Sequence, residues 1–273
     1  LSSAKEGRFF IYPVLTIIMV RAGSKKIWSK GDRVLVIQAH PDDAEYYAGG
    51  TIARMVEEGC VVNYVTVTDG SKGTFNVNMD PKALSETRKR EQRAAADVLG
   101  VKDLFFLDYP DGDLYPSLEL RGKLVEIIRK VKPKIVMTLD AWLPYEVHPD
   151  HRVTGLMASE ATVFAGMPSF HKEQILSGIE AHKPDFILLF ATGSPNFFTA
   201  ITRFIDKKAE AIMKHESQLS LSFPEDLVKK GLEEVKREMV RWLRKRNRKK
   251  GRFVEPMRMF RVGAGHFIIN NVS

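Results

Sequence analysis

An α/β fold, built on a mostly parallel sheet with helices on both faces, is what this sequence predicts. Three observations predict it. Short apolar runs rich in Val and Ile alternate with amphipathic stretches of helical period between residues 33 and 190. Turn residues such as Gly59, Gly100 and Pro110-Asp111-Gly112 punctuate that alternation. Two His/Asp-rich segments, 39–45 and 148–151, each follow an apolar run directly, at the strand ends where sheets of this kind bind ligands. With 273 residues, 44% of them hydrophobic, the chain is long enough to bury one large core.

Val34-Leu35-Val36-Ile37 marks a buried first strand over 33–38, and a helix follows over 45–58 with Gly59 as its stop. The β-branched run 61–67 is the second strand, closed by Thr68-Asp69-Gly70. Pro81 opens a helix that reaches Leu99 and halts at Gly100. A short third strand spans 104–107, and Ser117 caps a helix running to Val131. Strand four covers 134–139, a helix begins near His151, and strand five covers 185–190. From Ile205 to Arg252 the reading is helical and charged, with Val228, Leu232, Val235, Met239 and Trp242 forming one apolar stripe. Residues 260–269 return as a strand. The expected division is an N-terminal extension over 1–30, a Rossmann-like unit over 31–200, and a helical C-terminal extension over 201–273 that contributes to oligomer contacts.

The single cysteine, Cys60, excludes intramolecular disulfides and cysteine-rich zinc sites, and suits a reducing compartment. A cytoplasmic location is therefore expected. The longest apolar run, 9–20, contains Pro13 and is too short to cross a bilayer as a helix. Lys5 and Arg8 before it mimic a signal peptide, but no small-x-small cleavage site follows, so it reads as an N-terminal strand or interface segment. The chain does not begin with Met, and Met19 is an alternative start. The net charge of +8 is concentrated: eight Lys or Arg and no acid lie within 241–252, which accounts for the whole excess. Abundant charge and only four Gln resemble a thermophile's composition.

The chemistry lies in Ala39-His40-Pro41-Asp42-Asp43-Ala44-Glu45 and His148-Pro149-Asp150-His151. Hydrolytic zinc takes three ligands from His and carboxylate and keeps one position open for water. His40 and Asp43, three apart in a strand-to-helix turn, can aim at one point, and His151 supplies the third ligand. Asp42 then sits beside the metal as a general base, and His148 stabilises an oxyanion or helps deliver a proton. A lone His at a strand end is commonly a satisfied polar residue; three His with several acids in two short motifs are not so easily explained. Gly49-Gly50-Thr51 reads as close packing of helix on sheet. Asp69 to Gly73 is either a substrate contact or an ordinary turn. Arg88 and Glu91 share a helical face as a solvated ion pair. Pro110-Asp111-Gly112-Asp113 is most simply a turn bordering the active edge. His171, His182 and His215 carry no pattern, and His266 is isolated.

A-H-P-D-D-x-E after a strand, G-G-T in the next helix, T-D-G after strand two, R-x-x-E in a long helix, and H-P-D-H-R after strand four together resemble the LmbE-like, or PIG-L, family. The likeness covers about residues 33–164. It implies a zinc-dependent de-N-acetylase of N-acetylglucosamine-containing compounds, with one Zn2+ per subunit on His40, Asp43 and His151, Asp42 as base and His148 at the oxyanion. Arg88, at the R-x-x-E position, is implied to organise or bind the sugar. The family commonly has a small residue or Leu where Tyr46-Tyr47 stands here. Composition and motif set look closest to archaeal members that act on a chitin-derived disaccharide and form hexamers; that likeness implies a homo-oligomer in which His266 completes a neighbouring site. Members acting on GlcNAc-inositol or GlcNAc-malate conjugates share the same motifs. The partner expected is thus a small sugar, with no membrane and no nucleic acid. Two rivals remain: nucleic-acid binding through the 241–252 patch, which lacks an aromatic stacking platform, and phosphoester hydrolysis, for which no arginine clamp is evident.

Overall fold

The computed structural model of the chain describes residues 26–246, 248–249, 252–263 and 270–271. The 9–20 run, Met19 and His266 lie outside the described residues. In chain order the elements are β1 (Arg33–Gln38), α1 (Asp43–Glu57), β2 (Val61–Thr68), α2 (Pro81–Leu99), β3 (Asp103–Tyr109), α3 (Leu118–Val131), β4 (Ile135–Leu139), α4 (Pro149–Phe164), α5 (Lys172–Leu176), β5 (Phe186–Phe190) and β6 (Phe197–Ala200). There follow α6 (Ile205–Met213), α7 (Leu219–Ser222), α8 (Glu225–Val228), α9 (Leu232–Arg246), β7 (Arg248–Lys249), β8 (Arg252–Arg261) and β9 (Asn270–Asn271).

The strands run in the order β3-β2-β1-β4-β5-β8-β6, with β7 and β9 also paired to β8. The first five are mutually parallel, and β8 is antiparallel to β5 and β6. Strand order therefore reverses between β1 and β4, which is where a crevice opens at the carboxyl ends of a doubly wound sheet. Alternate residues of each strand feed opposite layers. Val34, Val36, Val62 and Tyr64 pack with α1, α2, α6 and α9, whereas Leu35, Ile37, Val65 and Val67 pack with α3 and α4.

Local signals set the helix ends. Asp80 caps α2 by accepting from the backbone N–H of Lys82 and Ala83, Pro81 occupies the first turn, and Gly100 closes it at φ 83°. The Ser117 side chain accepts from Leu120 N at the start of α3. Helix α1 begins at Asp43, two residues before its expected start, because Asp42 adopts φ 115° and turns the chain at once. Three other expectations are corrected. The helical region ends at Arg246, and a strand, β8, begins at Arg252, ahead of the expected 260–269, of which residues 264–269 lie outside the described residues. Strand β6 had no sequence signal long enough to see. The apolar stripe is buried at Val235, Met239 and Leu243, while Leu232 and Trp242 stay 48% and 40% exposed and Val228 belongs to α8. Among the described residues no helix is long and apolar enough to cross a membrane.

Candidate active site

Both motifs reach the crevice because of how their elements are anchored. Helix α4 lies close against the end of β4: a Cβ on Gly155 would fall 2.4 Å from the Leu139 carbonyl oxygen, so only glycine fits there. That contact brings His148 and His151 over the end of β1. On the other side, Asp43 folds back on the strand end, its Oδ2 accepting from Ala39 N at 3.1 Å and His40 N at 2.8 Å.

His40, Asp43 and His151 each present an atom able to bind a metal, all within 4.8 Å of one another, and His40, His148 and Asp150 do the same. Hydrogen bonding separates the two groups. Asp150 is fully buried and already accepts from Gly112 N at 2.7 Å and Leu114 N at 3.2 Å. The His40 ring donates from Nε2 to Asp150 Oδ2 at 3.0 Å, which leaves Nδ1 facing Asp43 Oδ2 at 3.5 Å. A carboxylate that fixes a ligand imidazole from behind is the usual second layer of a metal site. His151 Nε2 lies 3.3 Å from Asp43 Oδ1. The ring of His148 stacks on that of His151 with centroids 4.6 Å apart, and its buried Nδ1 has no hydrogen-bond partner.

The charges are tightly balanced. Burial pulls the His40 imidazole down, but hydrogen bonds to Asp111, Asp150 and Asp43 hold it well above its usual range. His151 is raised in the same way, burial being outweighed by Asp43. Burial opposes ionisation of Asp43, yet His151 and His40 hold its carboxyl well below the usual range. His148 is lowered by burial and by the charges of His40 and His151. Burial pushes Asp42 up to about 6, against the lowering pull of Arg88 and His215.

A buried polar network supports Asp42. Its backbone N–H donates to Gln92 Oε1 at 3.0 Å, and Gln92 is fixed by Gln38 at 2.8 Å and by Glu45 Oε1 at 3.0 Å. Behind Glu45 stands His215, 1% exposed, with Nε2 3.5 Å from Glu45 Oε2. The Arg88 guanidinium donates to Pro41 O at 2.8 Å and Gly70 O at 3.1 Å and reaches Asp42 Oδ2 at 3.4 Å.

The structure thus brings together His40, Asp42, Asp43, Arg88, His148 and His151 around one cavity of about 410 Å³, also lined by Lys72, Gly73, Asp111 and Gln218. Three readings need correction. Arg88 is 3% exposed and holds the Asp42 turn, rather than pairing in solvent with Glu91, which accepts from Ser217 instead. Asp111 is not merely part of a turn: its Oδ1 lies 3.4 Å from His40 Nε2, and the interaction with His40 brings its carboxyl down to about 2 against the opposing effect of burial. His215 carried no pattern in sequence because its partner, Glu45, is distant along the chain. Asp150 was legible as the acid inside H-P-D-H; its bonds to the 112–114 turn were not.

A parallel sheet with this cluster at its switch point places the chain among α/β proteins whose carboxyl edge carries a His/carboxylate centre able to hold a metal. Residues 35–162 match the PIG-L family, described as GlcNAc-PI de-N-acetylase. The chain is 40% identical over 195 residues to the diacetylchitobiose deacetylase of Thermococcus kodakarensis, an alignment covering 71% of this chain and 72% of that protein. It is 30% identical to a probable N-acetyl-α-D-glucosaminyl L-malate deacetylase 2 of Bacillus anthracis, over 77% of this chain and 91% of that one. The inhibitor-complexed N,N'-diacetylchitobiose deacetylase of Pyrococcus horikoshii superposes with a TM-score of 0.74 at 36% identity, covering 84% and 83% of the two chains. The protein belongs to the PIG-L, or LmbE-like, family.

Proposed function

We propose that the protein hydrolyses the acetamide of an N-acetylglucosamine-containing sugar, a chitin-derived disaccharide in the first place, using one zinc ion held by His40, Asp43 and His151. The observation that carries this reading is the convergence of those three side chains with Asp42 alongside. Two imidazole nitrogens and one carboxylate oxygen are the donor set of catalytic zinc with an open position. The charge environment fits as well: the carboxylates that raise His40 and His151 against the opposing effect of burial would also favour a divalent ion between them. Such an ion supplies Lewis acidity that polarises a carbonyl and acidifies water.

The chain's own residues do the rest. Asp42 accepts the proton of the attacking water, and a carboxyl raised to about 6 is a better base near neutrality than an ordinary one. Gln92 and Arg88 keep that carboxylate on a backbone turn that would otherwise relax. His148, held neutral, donates its N–H as a hydrogen bond to the developing oxyanion, and the proton taken up by Asp42 passes to the leaving amine, which restores the Asp42 carboxylate. Arg88 organises the turn from beneath. The contact of His266 with a neighbour's substrate follows from the family likeness alone.

Assembly into a homo-oligomer, a hexamer on the same likeness, belongs to this proposal. It is supported by large apolar side chains on the loops after β2 and β4: Phe75 is 87% exposed, Val77 95% and Tyr145 87%. Light scattering of the purified chain tests that part. The reaction is tested by incubating zinc-loaded protein with GlcNAc, diacetylchitobiose, GlcNAc-inositol and GlcNAc-malate and measuring acetate and new primary amine. Acetate from the disaccharide above the others is expected. Acetate from the malate conjugate alone would shift the substrate to the one named for the Bacillus relative, and none from any would overturn the reading.

A further inference from the structure

Tyr46 and Tyr47 have no part in the reaction above, yet they stand next to it. They follow Asp43 by three and four residues, so all three side chains leave one face of α1. Together with Trp242 of α9 they wall a second cavity of about 130 Å³, and Asp43 lies in the wall of both this cavity and the larger one. The larger cavity is lined by imidazoles, carboxylates and cations; the smaller is lined by three aromatic rings. Two of those rings are fixed from behind. The Tyr46 hydroxyl bonds to Ser222 Oγ at 3.0 Å, and the Tyr47 ring stacks on Phe190 with centroids 6.0 Å apart. Trp242 keeps 40% of its surface open on a helix that otherwise buries Val235, Met239 and Leu243.

A pyranose ring has an apolar C–H face and a hydroxylated rim, and rigid aromatic walls suit such a face at low entropic cost. We propose that this cavity is the subsite for the second sugar ring of an N-acetylglucosamine disaccharide, with Trp242 as its specificity-determining side chain. The proposal rests on the deacetylase reading and adds what that reading lacks: a reason for a disaccharide to be preferred over a monosaccharide. The polar cavity takes the reacting acetamide, and the aromatic one takes the neighbouring ring.

The test is the ratio of kcat/KM for diacetylchitobiose to that for GlcNAc, measured by acetate release. Trp242→Ala is expected to lower this ratio roughly tenfold, mainly through KM for the disaccharide, and Trp242→Phe to restore most of it. A ratio in Trp242→Ala equal to that of the unaltered protein would overturn the proposal. A second measurement needs no turnover: the fully deacetylated disaccharide should quench tryptophan emission saturably in the unaltered protein and not in Trp242→Phe. Equal quenching in both would also overturn it. If the unaltered protein releases no acetate from either sugar, it is the deacetylase reading that fails.

Discussion

Helix α1 is gripped at two places by buried charge, and the two places are built differently. At its start, His40, Asp42, Asp43 and His151 crowd together on a backbone turn with φ 115° at Asp42, and the buried Nδ1 of His148 nearby has no hydrogen-bond partner. Two turns on, Lys208 of α6 donates to Glu255 of β8 at 2.6 Å, both 1% exposed, while the same carboxylate accepts from Gly50 N at 3.0 Å and Thr51 N at 2.6 Å. The second cluster is an ion pair whose carboxylate is bonded at both oxygens, and it ties β8 to the sheet's first helix. The first leaves strain and an unmet polar group where a ligand would sit. Buried charge that is satisfied holds a fold; buried charge left strained and partly unmet is held by the fold for chemistry.

That contrast can be broken by substitution. Asp42→Asn is expected to lower kcat about 10³-fold while leaving stability and bound zinc unchanged, as measured by acetate release and metal analysis. A loss under tenfold would remove Asp42 from the role of base. Lys208→Met leaves the Glu255 carboxylate buried without its cation, and denaturant titration should show a loss of about 3 kcal/mol, with activity per folded molecule within about twofold. If turnover fell with stability intact, the second cluster would not be purely structural. Gln92→Ala removes the acceptor for the Asp42 backbone N–H and is expected to lower kcat roughly tenfold with KM little changed. Parallel loss of thermal stability and of kcat/KM for every substrate, with kcat per folded molecule intact, would make Gln92 a packing residue only.

Much of this was legible in the sequence. The alternation of strand and helix, the helix opening at Pro81, the cap at Ser117 and the stop at Gly100 are local signals, and each holds in the structure. The two His/Asp motifs were visible because the chemistry is condensed into a few consecutive residues, and they do meet. What was illegible depends on contacts distant along the chain. Strand β8 is a charged segment, Arg252–Arg261, that becomes a strand by pairing with β5 and β6. Gly49-Gly50-Thr51 reads as tight packing on the sheet and does pack there, but its partners lie far along the chain: a Cβ on Gly50 would fall 2.8 Å from Ile201, and the Gly50 N–H donates to Glu255 of β8. His215 and Glu45 are 170 residues apart in number, and no local pattern links them.

The central claim is that one ion is shared by His40, Asp43 and His151 and that Asp42 stays off it. Crystals of the zinc-loaded protein, measured at the zinc absorption edge, test this directly. One anomalous peak within bonding distance of those three side chains, with Asp42 beyond the ligand shell, is the predicted result. A peak held by His40, His148 and Asp150, or none on either group, would contradict it.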